Sequence, residues 1–563
     1  MYKYCWILIC LFFFQSHAQY KFDFDFHSPV GIPIVLAANF GELRSNHFHT
    51  GIDIKTNGQE GYRLYAIADG YVSRIKVSPF GYGKAIYITH PELGITSVYA
   101  HCQNFYGEIY EYVLAEQLSA SFYEVELFPT PSKLIVRKGD VIAISGNTGG
   151  STAPHLHFEI RDTRTENPLN PLLFDFFDIA DSKAPEIRAI KLYAVSKYGY
   201  RIPGKEKTIL TTKSATGYVI SGNKTTVPAH FCSENGGVGI AVRVIDRYDA
   251  AQNVCGIYEG HLCVNGDTTY RQQMKMLDFN VNRQINTHKD YEEFKFKKLG
   301  YEKYFRTPHN KLPIYPISGN GVLGLYPGNT YQFAYATNDI KQNTSVLQFD
   351  LEVAKGDLRV ENTPFDQYHK TFMYPDSIYE FKGQHYHVLF RDYLLYEPTE
   401  KIVQYENHTF TFGKEHTPLD GYYTLSLQLP PHITNVEKAV IVKENTSFGG
   451  KIVGDWITAD VKELGTFKVA VDTIAPLVRN TNFVNGATIT SKPLLTWSVS
   501  DDLSGLKYYG LYVNGTYVLL EYEPKIKQLF TAVKDLPSGK LELKLVAKDA
   551  VGNVTTHMYS VYK

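Results

Sequence analysis

The sequence predicts a mainly β chain: a compact antiparallel β domain followed by several β-sandwich domains. Three observations carry that prediction. Short apolar stretches such as GKAIYITH, GITSVYAH and HLHFEIRD alternate with glycine turns from Phe22 to about Phe174, the pattern of short strands separated by turns. Aromatic residues make up 14% of the chain, with 43 Tyr and 33 Phe, and such rings suit the pleated surface of strands. At 563 residues the chain exceeds one core, and at roughly 100–200 residues per domain it divides into three or four.

The opening stretch MYKYCWILICLFFFQSHAQ has an early Lys3, an apolar run from Cys5 to Phe14, and small residues at Ser16 and Ala18. This is the pattern of a secretory signal over residues 1–18, cut after Ala18. The run is about ten residues, too short to span a bilayer, which needs about 20, and no later segment reads as a transmembrane helix. The mature protein is therefore expected to be exported, to the periplasm, cell envelope or medium. Cys102, Cys232, Cys255 and Cys263 would then meet an oxidising compartment, with one disulfide expected among the last three.

Residues 19–175 form the first domain. One interruption, Gln103 to Arg137, carries GEIYEYVLAEQLSA with Ile109, Val113 and Leu114 at helical spacing. It reads as an insertion bearing a short helix, either beside a substrate cleft or as a plain surface excursion.

From residue 176 strand-like stretches continue, and an internal echo runs through them. Asp181-Ser-Lys-Ala-Pro185 resembles Asp472-Thr-Ile-Ala-Pro476. VIDRYDAAQNVCGIYEGHLCVNG resembles VSDDLSGLKYYGLYVNG, and Asp339-Ile-Lys-Gln-Asn343 resembles Asp549-Ala-Val-Gly-Asn553. The same order three times argues for two copies of one sandwich module, at 176–356 with insertions and at 471–563, flanking a further β-rich domain at 357–470. The last module resembles bacterial immunoglobulin-like domains. Calcium or sugar binding and simple structural spacing are both readings of these repeats. Net charge is −1, so nothing favours capture of nucleic acid or an anionic membrane.

Chemistry concentrates in the first domain. Along a strand, residues i and i+2 share a face, so His155 and His157 of HLHFE project together while Leu156 and Phe158 face the core. Histidine and carboxylate both ligate zinc, and FHTGIDIKT offers His49 and, four residues on, Asp53. Gly51 between them is expected to let the backbone turn so that both reach one ion. A catalytic zinc takes three protein ligands and leaves a position open. His49, Asp53 and one histidine of the pair supply three. The remaining histidine and His101, ending VYAH, suit general acid–base work near neutral pH.

The order HxxxD, then YAH, then GNTG…HLHFE resembles the LytM/lysostaphin family of zinc endopeptidases. The likeness extends through FGELRSNHFHTGIDI, FGYGKAIYITHPELGITSVYAH and VRKGDVIAISGNTGGSTAPHLHFEIRD, covering about Asn39 to Asp162. It implies a compact lysostaphin-like β fold with a duplicated hybrid motif, zinc (Zn2+) held by His49, Asp53 and His157, and His101 and His155 as catalytic histidines. It implies a water nucleophile acting on peptidoglycan stem or cross-link peptides, with no acyl-enzyme. The insertion after His101 departs from the family's shorter link. All five positions are intact, unlike those of metal-free relatives that act as regulators. A non-catalytic envelope scaffold or activator, contacting a partner through the C-terminal β domains, is the alternative. His47 reads as structural, Glu159 as orienting a ligand or pairing an arginine, and Cys102 as packing.

Overall fold

The computed structural model describes residues 24–174, 177, 179–231, 236–317, 319–356 and 371–563. The expected signal segment, Cys232, and residues 175–176 and 357 at the expected domain junctions lie outside these. Among the described residues no helix is long and apolar enough to cross a membrane. Cys255 is a buried free thiol, which removes it from the expected disulfide.

The chain is mainly β. In the N-terminal unit a nine-stranded sheet runs in the order Leu36–Ala38, Ile52–Lys55, His155–Asp162, Ile95–Cys102, Lys84–His90, Gly70–Val77, Val125–Leu127, with two short strands at its flanks. Its pairings are antiparallel throughout. Every residue of Lys84–His90 and of Ile95–Cys102 is buried, so both faces of these strands are covered. Ile52, Ile54, Ile86, Ile88, Tyr99, Leu156, Phe158 and Ile160 fill the core beneath the sheet.

The strand His155–Asp162 carries the organising stripe. His155, His157, Glu159 and Arg161 alternate with Leu156, Phe158 and Ile160, so the pleat sends the polar side chains to one face and the apolar ones into the core. Its register with Ile52–Lys55 sets His157 opposite Asp53, and on its other side His157 faces Ala100. A slip of one residue would turn the whole polar stripe inward.

The insertion holds the helix Glu108–Ala120, with Ile109, Val113 and Gln117 buried. Leu114 is only half-buried; the third inward position is Gln117, tolerated there because its amide donates to the Tyr123 carbonyl at 2.6 Å. The helix faces the C-terminal unit. Tyr110, Val113 and Leu114 share a cavity with Tyr517, Leu519 and Ala532, Phe122 stacks on Tyr508 with centroids 5.9 Å apart, and Lys84 pairs with Glu521 at 2.8 Å.

The second unit joins the two halves of its sandwich through one long strand. Its ten strands form one continuous sheet, because the fourteen-residue strand Arg201–Ser214 links both halves. Ile190, Leu192 and Val242 from one half meet Leu262, Tyr335 and Leu347 from the other in a single apolar cluster, so the sheet wraps on itself. The third unit has two five-stranded sheets and the fourth two four-stranded sheets, each pair enclosing a core, around Phe410 and Phe412 in the third and around Trp497 and Leu543 in the fourth.

Candidate active site

His49, Asp53 and His157 converge. His49 Nε2 lies 3.0 Å from Asp53 Oδ1, His157 Nδ1 lies 2.9 Å from the same oxygen, and the two nitrogens are 3.1 Å apart. Each ring is anchored by its other nitrogen. His49 Nδ1 donates to the Asn39 carbonyl at 2.8 Å, and His157 Nε2 donates to Glu159 Oε1 at 2.9 Å. The inward nitrogens, His49 Nε2 and His157 Nδ1, therefore face the shared centre, and with His157 Nδ1 deprotonated both would offer lone pairs there, the tautomers a metal site needs. Ligands about 2.0–2.1 Å from a tetrahedral zinc stand about 3.3 Å apart, so adjustments of a few tenths of an ångström fit this donor set around one ion.

Gly51 has a different reason to be glycine than the one read from the sequence. Its φ is not in the left-handed region; a Cβ there would stand 2.3 Å from the Phe158 carbonyl oxygen. The loop bearing His49 thus lies directly on the strand bearing His157.

The two other histidines stand alongside, their rings 4.8 Å apart at the centroids. His101 donates from Nδ1 to the Thr148 carbonyl at 2.8 Å, leaving Nε2 as an acceptor. Its φ of 60° is left-handed, an uncommon state for a non-glycine residue and one that recurs at functional sites. His155 Nδ1 donates to the Ala153 carbonyl at 2.8 Å, and its Nε2 reaches to 3.4 Å from Asp53 Oδ1.

Two interlocked loops hold His101. Gly150 N–H donates to Gly81 O at 2.8 Å and His101 N–H to Tyr82 O at 2.9 Å. A Cβ on Gly149, whose φ is +73°, would lie 2.3 Å from Gly83 N, so the GNTGG and FGYGK turns touch backbone to backbone. The glycine-rich turn is thus a packing device.

Electrostatics separate the roles. Burial, and then the neighbouring His157 and His155, hold His101 down at about 3, so its imidazole is neutral at working pH. Burial likewise lowers His49, against the pull of Asp53. Asp53 sits well below the carboxylate range: burial opposes its charge, but His49 and hydrogen bonds from His155 and His157 outweigh it. Burial also opposes a charged His157, yet Asp53 and Glu159 on its two nitrogens carry it up to about 9.

Several residues had escaped the sequence reading. Arg44 reaches Asp53 Oδ2 at 3.2 Å. Tyr82 donates to Glu159, which also accepts from Thr50 at 2.5 Å and from Arg161 at 2.7 Å. Glu159 is fully buried and both orients His157 and pairs with Arg161. The alternation His-x-His-x-Glu-x-Arg was the signal for Arg161; Tyr82 and Arg44 had none. His47 lies outside the converging trio, burial holding it down at about 4. Cys102 is buried in the core beneath.

The peptidase family M23 model matches residues 47–124 and 128–171. Residues 47–171 are an M23 peptidase domain. A Zu5-like domain model matches 385–472. The M23 domain is similar to the DD-carboxypeptidase/endopeptidase Mpg of Neisseria meningitidis serogroup B, 32% identical over 130 residues, 23% of each chain. It is also 32% identical over 122 residues to an uncharacterized metalloprotease of Haemophilus influenzae, covering 22% of this chain and 20% of that one. The chain thus spans about a quarter of the length of the curated relatives it matches. Among solved structures, the catalytic domain of the M23 protein EnpA from Enterococcus faecalis is 23% identical, covering 25% of this chain and 91% of that one, with a TM-score of 0.19. The lysostaphin catalytic domain from Staphylococcus simulans is 21% identical, covering 24% and 86%, with a TM-score of 0.18.

Proposed function

We propose that this chain is an exported zinc endopeptidase that hydrolyses peptide bonds in the stems or cross-links of bacterial cell-wall peptidoglycan. The observation that carries the reading is the meeting of His49 Nε2, Asp53 Oδ1 and His157 Nδ1 within 3.1 Å, with two more histidines beside them. His49, Asp53 and His157 would hold the metal, whose contribution when bound is Lewis acidity toward the scissile carbonyl and the attacking water.

The chain's own groups do the rest. Neutral His101 presents Nε2 as the acceptor that takes the proton from the attacking water, a role suited to an imidazole fixed at Nδ1. His155 sits across from it, its Nε2 near Asp53; as an imidazolium, with Nδ1–H kept on the Ala153 carbonyl, it would donate from Nε2 to the developing oxyanion. The proton held by His101 then goes to the leaving amine. Glu159 and Asn39 hold the ligand rings in the required tautomers, and Arg44 keeps Asp53 ionised from its far oxygen. No side chain forms a covalent intermediate. The peptidoglycan substrate is supported by the Mpg relative, whose name describes a carboxypeptidase and endopeptidase, and by the secretory pattern of the first residues.

The test is digestion of purified sacculi followed by mass spectrometry of released fragments. Wild-type protein should release shortened or unlinked muropeptides, and chelation or His157→Ala should stop the release. Undiminished release from a metal-free preparation would overturn the reading. Cellular function surviving His101→Ala would favour a non-catalytic scaffold instead.

A further inference from the structure

The echo between the second and fourth units has a structural counterpart. Asp339 accepts the Asn343 N–H at 3.0 Å and its side-chain amide at 2.8 Å, and that amide also donates to the Asp181 carbonyl at 3.1 Å. In the C-terminal unit Asp549 accepts the Asn553 N–H at 2.8 Å and its amide at 2.6 Å, and the amide donates to the Asp472 carbonyl at 2.9 Å. The same wiring holds Asp181 and Asp472 at equivalent places.

What surrounds them differs. Asp472 accepts backbone N–H groups of Ile474 and Ser504, and Asp501 Oδ2 those of Leu503 and Gly505. In the second unit Asp181 Oδ1 likewise accepts the Lys183 N–H at 3.2 Å, and the difference lies at Asp246. Asp246, which follows the strand Gly237–Ile245, is 1% exposed, and neither of its carboxylate oxygens has a hydrogen-bond partner. Asp181 Oδ2 is buried and unpartnered as well. Ligand oxygens of Asp181, Asp246 and Asp339 all lie within 4.8 Å of one another. Among the described residues, no lysine or arginine is recorded in an ion pair with any of them.

Three carboxylates packed together, Asp246 and Asp339 buried and Asp181 partly so, with no cation beside them, is an arrangement that demands either protons or a metal ion. Burial, followed by repulsion from Asp339, pushes Asp246 up to about 8 and Asp181 up to about 7. We propose that Asp181, Asp246 and Asp339 form a calcium site at the junction of the M23 domain and the second unit. An all-oxygen, all-carboxylate donor set selects a hard cation over zinc. Oxygens about 2.3–2.6 Å from Ca2+ stand at most about 5 Å apart, which the cluster satisfies; Mg2+ gives up its waters reluctantly and suits a buried cage poorly.

The site is built into the support of the M23 domain. Asp246 and Cys255 exchange backbone hydrogen bonds of 3.0 and 2.9 Å. Gly256 exchanges two with the Asn39 side chain, at 2.8 and 2.9 Å. The Asn39 carbonyl in turn holds His49. A bound ion fixes the interdomain segment at 181 against the loop that buttresses this ring.

The experiment is equilibrium dialysis and thermal unfolding of the full chain, with zinc present, against added Ca2+. One Ca2+ should bind per chain with a Kd of about 1 mM or tighter, the range of extracellular modules, and the melting temperature should climb with Ca2+. Asp246→Asn should lose both effects while melting no lower than the calcium-free wild type, since it removes a buried charge. Asp181→Asn, at the partly exposed edge, should lose them too, and Asp501→Asn should keep them. Absence of Ca2+ binding, unchanged binding in both Asp181→Asn and Asp246→Asn, or preference for Mg2+ would overturn the proposal.

Discussion

Replacing Gly51 with alanine puts a methyl group where the structure has none to spare. The added carbon would sit 2.3 Å from the Phe158 carbonyl oxygen, 3.0 Å from its carbonyl carbon and 2.9 Å from Glu159 Cγ. An ordinary carbon–oxygen contact is about 3.3 Å or more, so the loop and the strand must part by about 1 Å. The loop carries His49 and leads into Asp53; the strand carries His157. Their separation therefore opens the trio whose members now stand 2.9–3.1 Å apart. Overpacking of this kind costs about 1–3 kcal/mol, and misplacing reacting groups by about 1 Å costs on the order of 100-fold in rate. The assay is chelator competition for zinc, beside thermal unfolding and sacculus digestion. Gly51→Ala should bind zinc at least tenfold more weakly, melt earlier and release fragments about 100-fold more slowly. Wild-type zinc affinity and melting temperature in this variant would refute the steric argument.

Other perturbations follow from the same geometry. His101→Ala removes the neutral acceptor but none of the three ligands, so zinc content should stay at the wild-type level while turnover falls about 10²–10⁴-fold; loss of zinc would assign His101 to the metal instead. Zinc binding should release about one proton near pH 7: Asp53 is already ionised and His49 neutral, whereas His157, raised to about 9, carries a proton that the metal displaces. Apparent zinc affinity should accordingly rise about tenfold per pH unit below 9, and calorimetry in buffers of different ionisation heats that shows no proton release would contradict the raised His157. Glu159→Gln leaves buried Arg161 with only the longer contact to Glu166, at 3.4 Å, and weakens the hold on the His157 ring, so stability should drop by about 3 kcal/mol and zinc affinity by about 10–100-fold, both readable from denaturant titrations with and without zinc.

Much of the M23 domain was legible because β structure writes itself in short periods. Alternation along HLHFEIRD determined that His155, His157, Glu159 and Arg161 share a face, and that Leu156, Phe158 and Ile160 share the other. The HxxxD, YAH and HLH motifs offered histidine and carboxylate donors by residue type and spacing, while their division into ligands and acid–base groups came only from the family resemblance. The insertion's helix was visible from its apolar spacing, though its third buried position proved to be Gln117, because a local hydrogen bond made a polar side chain acceptable there. The continuous wrapped sheet of the second unit was not visible, since nothing local announces that one long strand will serve two halves.

The amino-acid order by itself determined which groups were on offer and which way each strand would turn them, since the pleat is a property of the local backbone. Only the tertiary structure decided who meets whom. Strand register set Asp53 opposite His157, close backbone contact fixed why residue 51 must lack a side chain, and distant segments supplied Asn39, Arg44 and Tyr82 as partners. The same holds for Asp181, Asp246 and Asp339, well separated along the chain yet gathered in one buried place. Long-range pairing of this kind depends on the packing of whole sheets, and no window of neighbouring residues contains it.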